Sequence, residues 1–357
     1  MRSEARVVVI GGGVVGCSVL FHLTRLGWRD VVLLERDELT SGSTWHAAGG
    51  MHTLNADPEM SRLQKYTIDL YRELERLTGE SCGIHLPGGL MLAGDRDRLD
   101  QLRLMVSRGK VLGLEVELID MAEAARRMPL LDPRQFVGAL WDPNEGHVDP
   151  AGVTRAYARA AQLQGAEIHR FTPVLELVPL PAGGWQVVTA KGTIRAEHVV
   201  NAAGLWARDL ARKNGIRLPL LAMEHHYLLT EELPEVAARS EELPHVIDFA
   251  AEIYLRQEGC GLLLGTYEQN GVPWAERETP ADFANQLLPP DLERIAARLE
   301  QAYAHFPILA RAGIRRVVNG PFTITPDGNP LVGPVPGLPG YWCACGVMAG
   351  FSQGGGI

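Results

Sequence analysis

Three glycines and one acidic residue near the N-terminus have the types and spacing that bind a dinucleotide. Gly11, Gly13 and Gly16 directly follow the apolar run at residues 7–10, and Glu35 lies 19 residues beyond Gly16. In a strand–turn–helix unit, Gly11 makes the sharp turn, Gly13 lets a pyrophosphate approach the backbone, and Gly16 lets the helix pack closely on the strand. Glu35 can accept hydrogen bonds from both ribose hydroxyls, which favours FAD or NAD and disfavours NADP.

Two further segments carry small residues that suit a flavin. Residues 41–49 read Ser-Gly-Ser-Thr-Trp-His-Ala-Ala-Gly, and such a loop can wrap a pyrophosphate and run on to a ring system. Residues 199–207 form an apolar strand that runs into small residues at Ala203 and Gly204. This strand resembles the second FAD-contacting segment of glycine oxidase-like flavoproteins. Together with the glycine motif it favours FAD over NAD.

The loop around His46 closely resembles the dimethylglycine dehydrogenase and sarcosine dehydrogenase family. Ordered matches continue along the chain at residues 146–150, 224–227, 254–258, 319–321 and 325–331. The resemblance implies that His46 is joined covalently to the 8α-carbon of FAD. Neutral imidazole is a competent nucleophile toward an oxidised flavin methide, so the linkage is chemically reasonable. A loop histidine held only by hydrogen bonds is the alternative.

The motif and the resemblance together predict a set of FAD-contacting residues. They are Gly11, Gly13, Val14, Val15, Gly16, Glu35, Arg36, Ser43, Thr44, His46, Val174, Ala203, Gly204, Trp206 and Gly354. Gly354 begins a glycine run, which we expect to be a turn before a helix whose N–H groups face the flavin. Since no such helix follows in the sequence, we expect a truncated chain that binds FAD weakly on its own.

The candidate catalytic residues are His225, Tyr254 and Arg256. If residues 223–229 form one strand, His225 and His226 point to opposite faces. The resemblance implies that His225 pairs with Tyr254 near the substrate, which leaves His226 on an outer or interdomain face. Arg256 shares a strand face with Tyr254 and is the candidate cation for a substrate carboxylate. The alternative for Arg256 is a surface cation beside an acid.

The resemblance implies FAD-dependent oxidation of an N-methyl amino acid, dimethylglycine or sarcosine, with hydride transfer to flavin N5 and release of formaldehyde. A D-amino acid or glycine oxidase-type deaminase, which releases ammonia, is one alternative. A non-catalytic flavin-binding fragment or subunit is another. Either oxygen or an electron-transfer flavoprotein would take the electrons. We expect tetrahydrofolate as a partner only where the C-terminal folate-binding region of the family is present, and this sequence lacks that region.

The composition gives no reason to expect nucleic acid, membrane or metal. With 34 Lys and Arg against 43 Asp and Glu, the formal net charge is −9, so the chain lacks the basic surface that nucleic acid needs. The sequence contains no apolar run of about 18 residues, the length that a membrane-spanning helix needs. Five scattered cysteines show no ligand spacing. Because the first apolar run begins at Val7, we expect a cytoplasmic protein, or one whose presequence has been removed.

The strand–turn–helix unit at residues 7–35 predicts an α/β fold. The resemblance implies that its Rossmann-like FAD-binding domain carries an antiparallel-sheet substrate domain, as in glycine and D-amino acid oxidases. Asp-Pro pairs at residues 57–58 and 149–150 predict two helix starts, and residues 174–203 predict a β-meander. The predicted FAD-binding domain comprises residues 1–85, 145–218 and 318–357, and the predicted substrate domain comprises residues 86–144 and 219–317.

Overall fold

The predicted strand–turn–helix unit is present in the computed structural model, which describes all 357 residues. Strand β1 (Glu4–Ile10) leads through the glycine turn into helix α1 (Val14–Arg25), and β2 (Val31–Leu34) pairs with β1 in parallel. Gly11 has a φ of 116°, a conformation that favours glycine. A Cβ on Gly16 would lie 1.9 Å from the Gly11 carbonyl oxygen. The turn and the close helix packing therefore both require glycine.

The other strands follow in chain order. They are β3 (Gly50–Met51), β4 (Gly89–Ala93), β5 (Glu117–Ile119), β6 (Gly138–Asp142), β7 (Gly146–His147), β8 (Glu167–His169), β9 (Val174–Pro179), β10 (Trp185–Thr189), β11 (Gly192–Asn201), β12 (Leu221–Met223), β13 (His226–Thr230), β14 (His245–Asp248), β15 (Ile253–Glu258), β16 (Gly261–Thr266), β17 (Pro273–Trp274), β18 (Ile314–Asn319), β19 (Phe322–Ile324), β20 (Leu331–Pro334) and β21 (Tyr341–Cys345).

Aspartate caps fix several helix starts. The carboxylate of Asp57 accepts hydrogen bonds from the N–H groups of the first turn of its helix, and Asp149 does the same for another, as the Asp-Pro pairs predicted. The other helices are α2 (Pro58–Thr78), α3 (Arg96–Val111), α4 (Met121–Arg127), α5 (Pro150–Leu163), α6 (Ala207–Arg212), α7 (Pro234–Ala237), α8 (Leu292–His305) and α9 (Gly350–Gln353). Short 3₁₀ helices span Thr44–His46, Pro133–Gln135, Gly204–Trp206 and Pro307–Arg311.

Two eight-stranded sheets dominate the fold. The first runs β20-β21-β11-β1-β2-β8, with β10 and β9 added beside β11, and its central strands pair in parallel. The second runs β18-β13-β16-β15-β14-β4-β6-β5, and only β14 and β4 pair in parallel. Smaller sheets join β17-β12-β19 and β3-β7. This architecture confirms the predicted fold class, whereas the exact domain boundaries stay a prediction.

Helices cover both large sheets with apolar side chains. Helices α1, α2 and α5 bury Phe21, Tyr71 and Tyr157 in one cluster with strands of the first sheet. Helix α8 contributes Ile295 and Leu299 to the core of the second sheet. The two sheets therefore have separate cores. No helix combines the length and apolar character needed to cross a membrane.

A helical turn leads into the C-terminal glycine run. The helical turn α9 comes before the glycines, and Gly354 itself has helical backbone angles, φ −61° and ψ −22°. A Cβ on Gly355 would lie 2.7 Å from the hydroxyls of both Tyr71 and Tyr157. The glycines therefore let the chain pack tightly on α2 and α5. The interpretation of the run as a turn that precedes a helix stays a prediction.

Candidate active site

A cavity of about 680 Å³ connects the N-terminal end of α1 with the second large sheet. Seven of the predicted FAD-contacting residues line it: Gly13, Val14, Val15, Ser43, Thr44, His46 and Gly204. The Thr44 hydroxyl accepts a hydrogen bond from the Val14 N–H at 3.2 Å, which ties the loop of residues 41–49 to the start of α1. The glycine turn and this loop therefore form one wall.

The other predicted cofactor residues lie outside the cavity lining. The Glu35 carboxylate is buried and accepts hydrogen bonds from the N–H groups of Gly12 at 2.6 Å and Asp37 at 2.8 Å, and burial raises its pKa. The Arg36 guanidinium lies 4.6 Å from the ring centroid of Trp206. The others are Gly11, Gly16, Val174, Ala203 and Gly354. Glu35 thus supports the turn directly, and its contact with a ribose stays a prediction.

His46 ends the 3₁₀ helix Thr44–His46 and is buried in the cavity wall. Its Nε2 atom has no hydrogen-bond partner, and burial lowers the pKa of its imidazole to about 4. A Cβ at Gly320 would lie 2.3 Å from His46 Nδ1, so Gly320 gives the ring its space. His46 is therefore a neutral imidazole with a free nitrogen.

His225 and Tyr254 form a pair on the cavity wall. His225 Nε2 lies 3.3 Å from the Tyr254 hydroxyl, and the rings of Tyr267 and Phe322 pack against His225 at 5.1 Å each. Burial lowers the pKa of His225 to about 4 and raises that of Tyr254. The pair is therefore uncharged at neutral pH. It can exchange hydrogen bonds with an amine but carries no charge of its own.

The paired histidines point in opposite directions, but not from one continuous strand. Strand β12 ends at Met223 and β13 begins at His226, so His225 lies in the break between them. His226 is fully buried and accepts a hydrogen bond from the Asp291 N–H at 3.1 Å, with Arg294 at 2.9 Å from its Nδ1. The expectation that His226 lies on an outer or interdomain face is wrong, because the start of α8 covers this side of the sheet.

The guanidinium of Arg256 does not line the cavity. It donates to the Ala48 carbonyl at 3.1 Å, to the Gln257 carbonyl at 2.8 Å and to the Glu258 carboxylate at 2.6 Å. Its residue is buried, and a buried charge takes the nearest acceptors. These contacts anchor the loop after His46 to β15. As a carboxylate ligand Arg256 would have to give them up, so the structure does not support that prediction.

Several cavity residues have no signal in the sequence. They include His52, His245, Tyr267, Phe322 and residues 347–352. His52 and His245 meet Glu145, and the ligand atoms of these three lie within 4.8 Å of one another, as do those of His85, His147 and Glu242. The members of each cluster are far apart in sequence, so only the strand registers bring them together. Both clusters have metal-binding chemistry, and the expectation of no metal stays a prediction.

Comparison with known proteins identifies the family. The model of the family described as FAD dependent oxidoreductase matches residues 6–357. The chain belongs to the FAD-dependent oxidoreductases. This family membership confirms the predicted family and FAD as its cofactor, while the covalent bond through His46 stays a prediction.

Within this family the chain is similar to several named proteins. It is 39% identical to mitochondrial dimethylglycine dehydrogenase of Mus musculus over 100% of the chain and 42% of that protein. It is 39% identical to mitochondrial sarcosine dehydrogenase of Homo sapiens, over 39% of that protein. It is also 35% identical to the mitochondrial pyruvate dehydrogenase phosphatase regulatory subunit of Mus musculus, over 100% of the chain and 40% of that protein. The chain thus spans about two-fifths of the length of these relatives.

A solved structure matches the fold throughout. L-proline dehydrogenase from P. horikoshii superposes with a TM-score of 0.88 at 27% identity, over 100% of this chain and 91% of that one. The three relatives above are named as mitochondrial, so a cytoplasmic location for this family member stays a prediction.

The residues of this family member fit FAD. Residues 11–13 are glycines, so no side chain blocks a pyrophosphate from the start of α1. The cavity continues from there to His46 and the His225–Tyr254 pair. The buried Nε2 of His46 lacks a partner, and a buried polar atom without one costs stability unless a ligand supplies it. Residues 11–13 and the loop around His46 would therefore hold FAD, which would supply the site with an acceptor for two electrons.

Proposed function

We propose that this chain is the FAD-binding part of an enzyme that oxidises the N-methyl group of an N-methyl amino acid, with dimethylglycine or sarcosine as substrate. The observation that carries the proposal is the uncharged His225–Tyr254 pair, 3.3 Å apart, in the cavity that also contains His46. The names of the relatives support it, since dimethylglycine, sarcosine and proline all combine a substituted nitrogen with a carboxylate.

His225 and Tyr254 would prepare the substrate nitrogen. FAD, when bound, would supply the acceptor for a hydride from the N-methyl carbon. The nitrogen must be unprotonated at that moment, because its lone pair stabilises the developing positive charge. The burial that keeps His225 neutral also disfavours an ammonium ion in the cavity. His225 Nε2 and the Tyr254 hydroxyl would first relay the ammonium proton away from the nitrogen, and the Tyr254 hydroxyl would then donate a hydrogen bond that orients the neutral amine.

The products follow from the balance of the reaction. Two electrons leave the substrate with the hydride, and the remaining methylene iminium ion adds water. Its collapse gives formaldehyde and the demethylated amine. For the whole protein we propose oxygen or an electron-transfer flavoprotein as the electron acceptor. Tetrahydrofolate would be a partner only of a chain that also carries the folate-binding region.

Anaerobic reduction of the flavin tests this function. Dimethylglycine and sarcosine should bleach the flavin absorbance, and stoichiometric formaldehyde should appear without ammonia. Glycine, D-alanine and L-proline serve as comparison substrates under the same conditions. Bleaching by glycine or D-alanine with release of ammonia would instead assign the protein to the deaminase class.

A second candidate function has one specific observation in its favour. A relative of 35% identity is named as a regulatory subunit, so similar sequences also occur in a protein that is named for regulation. A flavin-binding module of that kind would hold FAD that dithionite reduces but no amine does. The substrate panel above therefore separates the two functions in one experiment.

We also propose that FAD is attached covalently through His46. The support is the depressed pKa of the ring, near 4, and the unpartnered Nε2 in the cavity wall. A nucleophilic imidazole must be neutral, and burial ensures that state. Gly320 leaves the ring room at its other nitrogen.

A further inference from the structure

The cavity needs a partner for the carboxylate of an amino acid, and its walls contain neither lysine nor arginine. Four histidines line it: His46, His52, His225 and His245. Burial lowers the pKa of the imidazoles of His46, His225 and His245. At His52 burial also lowers the pKa, but the nearby carboxylates of Glu145 and Asp142 together outweigh it, so the pKa is raised. Among the cavity side chains, His52 is therefore the one suited to carry positive charge.

The β3–β7 ladder holds His52 against Glu145. Gly50 pairs with His147 and Met51 with Gly146, so the next residue, His52, comes opposite Glu145. His52 Nδ1 lies 3.1 Å from Glu145 Oε1, and the Glu145 side chain is fully buried. The backbone N–H of His52 donates to the hydroxyl of Ser352 at 2.9 Å. The backbone is thereby held at this residue, and Glu145 is the charged partner beside the imidazole.

The His52 ring lies in a row of neighbouring aromatic rings that leads to the His225–Tyr254 pair. Its ring centroid lies 4.7 Å from that of His245, which lies 6.2 Å from Tyr254, and Tyr254 lies 6.2 Å from His225. Because Nδ1 of His52 faces Glu145, its Nε2 is left for a ligand. The side chain is 24% exposed, which makes it accessible from the cavity.

We propose that His52, held by Glu145, binds the carboxylate of the amino acid substrate. This inference rests on the proposed function and names the residue that selects amino acids from other N-methyl amines. Glu145 keeps the ring protonated from behind, and the N–H on the far side donates a charge-assisted hydrogen bond. Arg256, the candidate from sequence, is held by Ala48 and Glu258 instead.

Binding of methoxyacetate to the flavin-loaded protein tests the proposal without turnover, since this probe has a carboxylate but no nitrogen. In isothermal titration, His52→Gln should weaken binding roughly ten- to a hundredfold, the range for a hydrogen bond to a charged group. His52→Arg, which keeps the charge, should retain most of the affinity. His85→Gln is the matched control, because His85 also pairs with a glutamate, Glu242, at 2.8 Å but lies outside the cavity lining.

A second variant guards against misfolding. His52→Gln leaves Glu145 buried without a cation, so the double variant His52→Gln/Glu145→Gln should fold and show the same loss of methoxyacetate binding. In flavin reduction, these variants should raise the half-saturating concentration of dimethylglycine and leave the limiting rate nearly unchanged. With N,N-dimethylpropylamine, which has no carboxylate, the half-saturating concentration should stay the same.

Two results would overturn the role of His52. One is unchanged methoxyacetate affinity in both the single and the double variant. The other is affinity that EDTA abolishes and Zn²⁺ restores, which would show that His52, Glu145 and His245 act through a metal. If methoxyacetate binding depends on His52 but no N-methyl amino acid reduces the flavin, the proposed function fails while the carboxylate site stands.

Discussion

The free nitrogen of His46 leads to a prediction about the cofactor. Denaturation of the flavin-loaded protein should leave a yellow, fluorescent polypeptide, because the proposed bond joins His46 to the ring. His46→Ala should release free FAD under the same conditions, while some flavin reduction persists through the rest of the cavity. Absorbance of the acid-precipitated protein gives the readout. Flavin that remains entirely in the supernatant of the unmodified protein would contradict the linkage.

His225 and His226 should respond differently to the same substitution. His225→Gln should slow flavin reduction by roughly 10²–10⁴-fold, the usual effect of losing a proton-handling group, with little change in unfolding. His226→Gln should lower the free energy of unfolding by about 1–3 kcal/mol, because it disturbs the buried contacts to Asp291 and Arg294. Stopped-flow reduction and urea unfolding measure the two effects. Equal effects of both variants on reduction would show that His226 also reaches the site.

Single residues were predictable from sequence where local geometry decides their direction. Neighbouring residues in an extended chain point to opposite sides, so the separation of His225 from His226 follows even though the strand breaks between them. Arg256 was predictable only in part. Its contact with the Glu258 carboxylate lies within β15, as the alternative of a cation beside an acid expected. Its contact with the Ala48 carbonyl joins residues 208 positions apart, and no local pattern predicts it.

At the scale of elements, the helix starts and the glycine turn could be predicted from the sequence, because the residues that cause them are local. An aspartate followed by proline stabilises a first turn wherever it occurs. The β3–β7 and β14–β4 pairings are different, since nothing near residues 50, 146 or 245 specifies their partners. His52, Glu145 and His245 were missed for that reason.

The packing of the C-terminal segment on α2 and α5 gives a prediction for its glycines. Gly355→Ala should lower the free energy of unfolding by about 1–3 kcal/mol, since the new methyl group meets the Tyr71 and Tyr157 hydroxyls at 2.7 Å. Gly350→Ala is the matched control, because a Cβ there meets no atom within 4 Å. Chemical unfolding curves of the two variants provide the comparison. Equal curves would mean that the segment does not pack on the two tyrosines.

For the whole molecule, buried histidines predict a loss of stability in mild acid. The pKa of His147 falls to about 3 because of burial, whereas an unfolded chain titrates near 6.5. Between pH 7 and pH 5 the unfolded state therefore binds the proton and the folded state does not, so stability falls as the pH falls. His147 alone should account for about 2 kcal/mol of that loss.

The variant His147→Gln isolates this contribution. Urea unfolding at pH 7 and pH 5 should show a smaller difference in the free energy of unfolding for the variant than for the parent protein. The sign is fixed, because a folded-state pKa below the unfolded one can only cost stability in acid. An identical difference in the two proteins would show that His147 titrates normally when folded.

The strand order of the first sheet also bears on how the protein is made. Strand β1 pairs with β11, more than 180 residues later, and β21 near the C-terminus completes the other side of β11. The cavity wall at residues 347–352 comes later still. During synthesis, the glycine turn therefore leaves the ribosome long before the strands and loop that enclose its ligand. Such long-range pairing slows folding, and FAD can be captured only after nearly all of these residues have been translated.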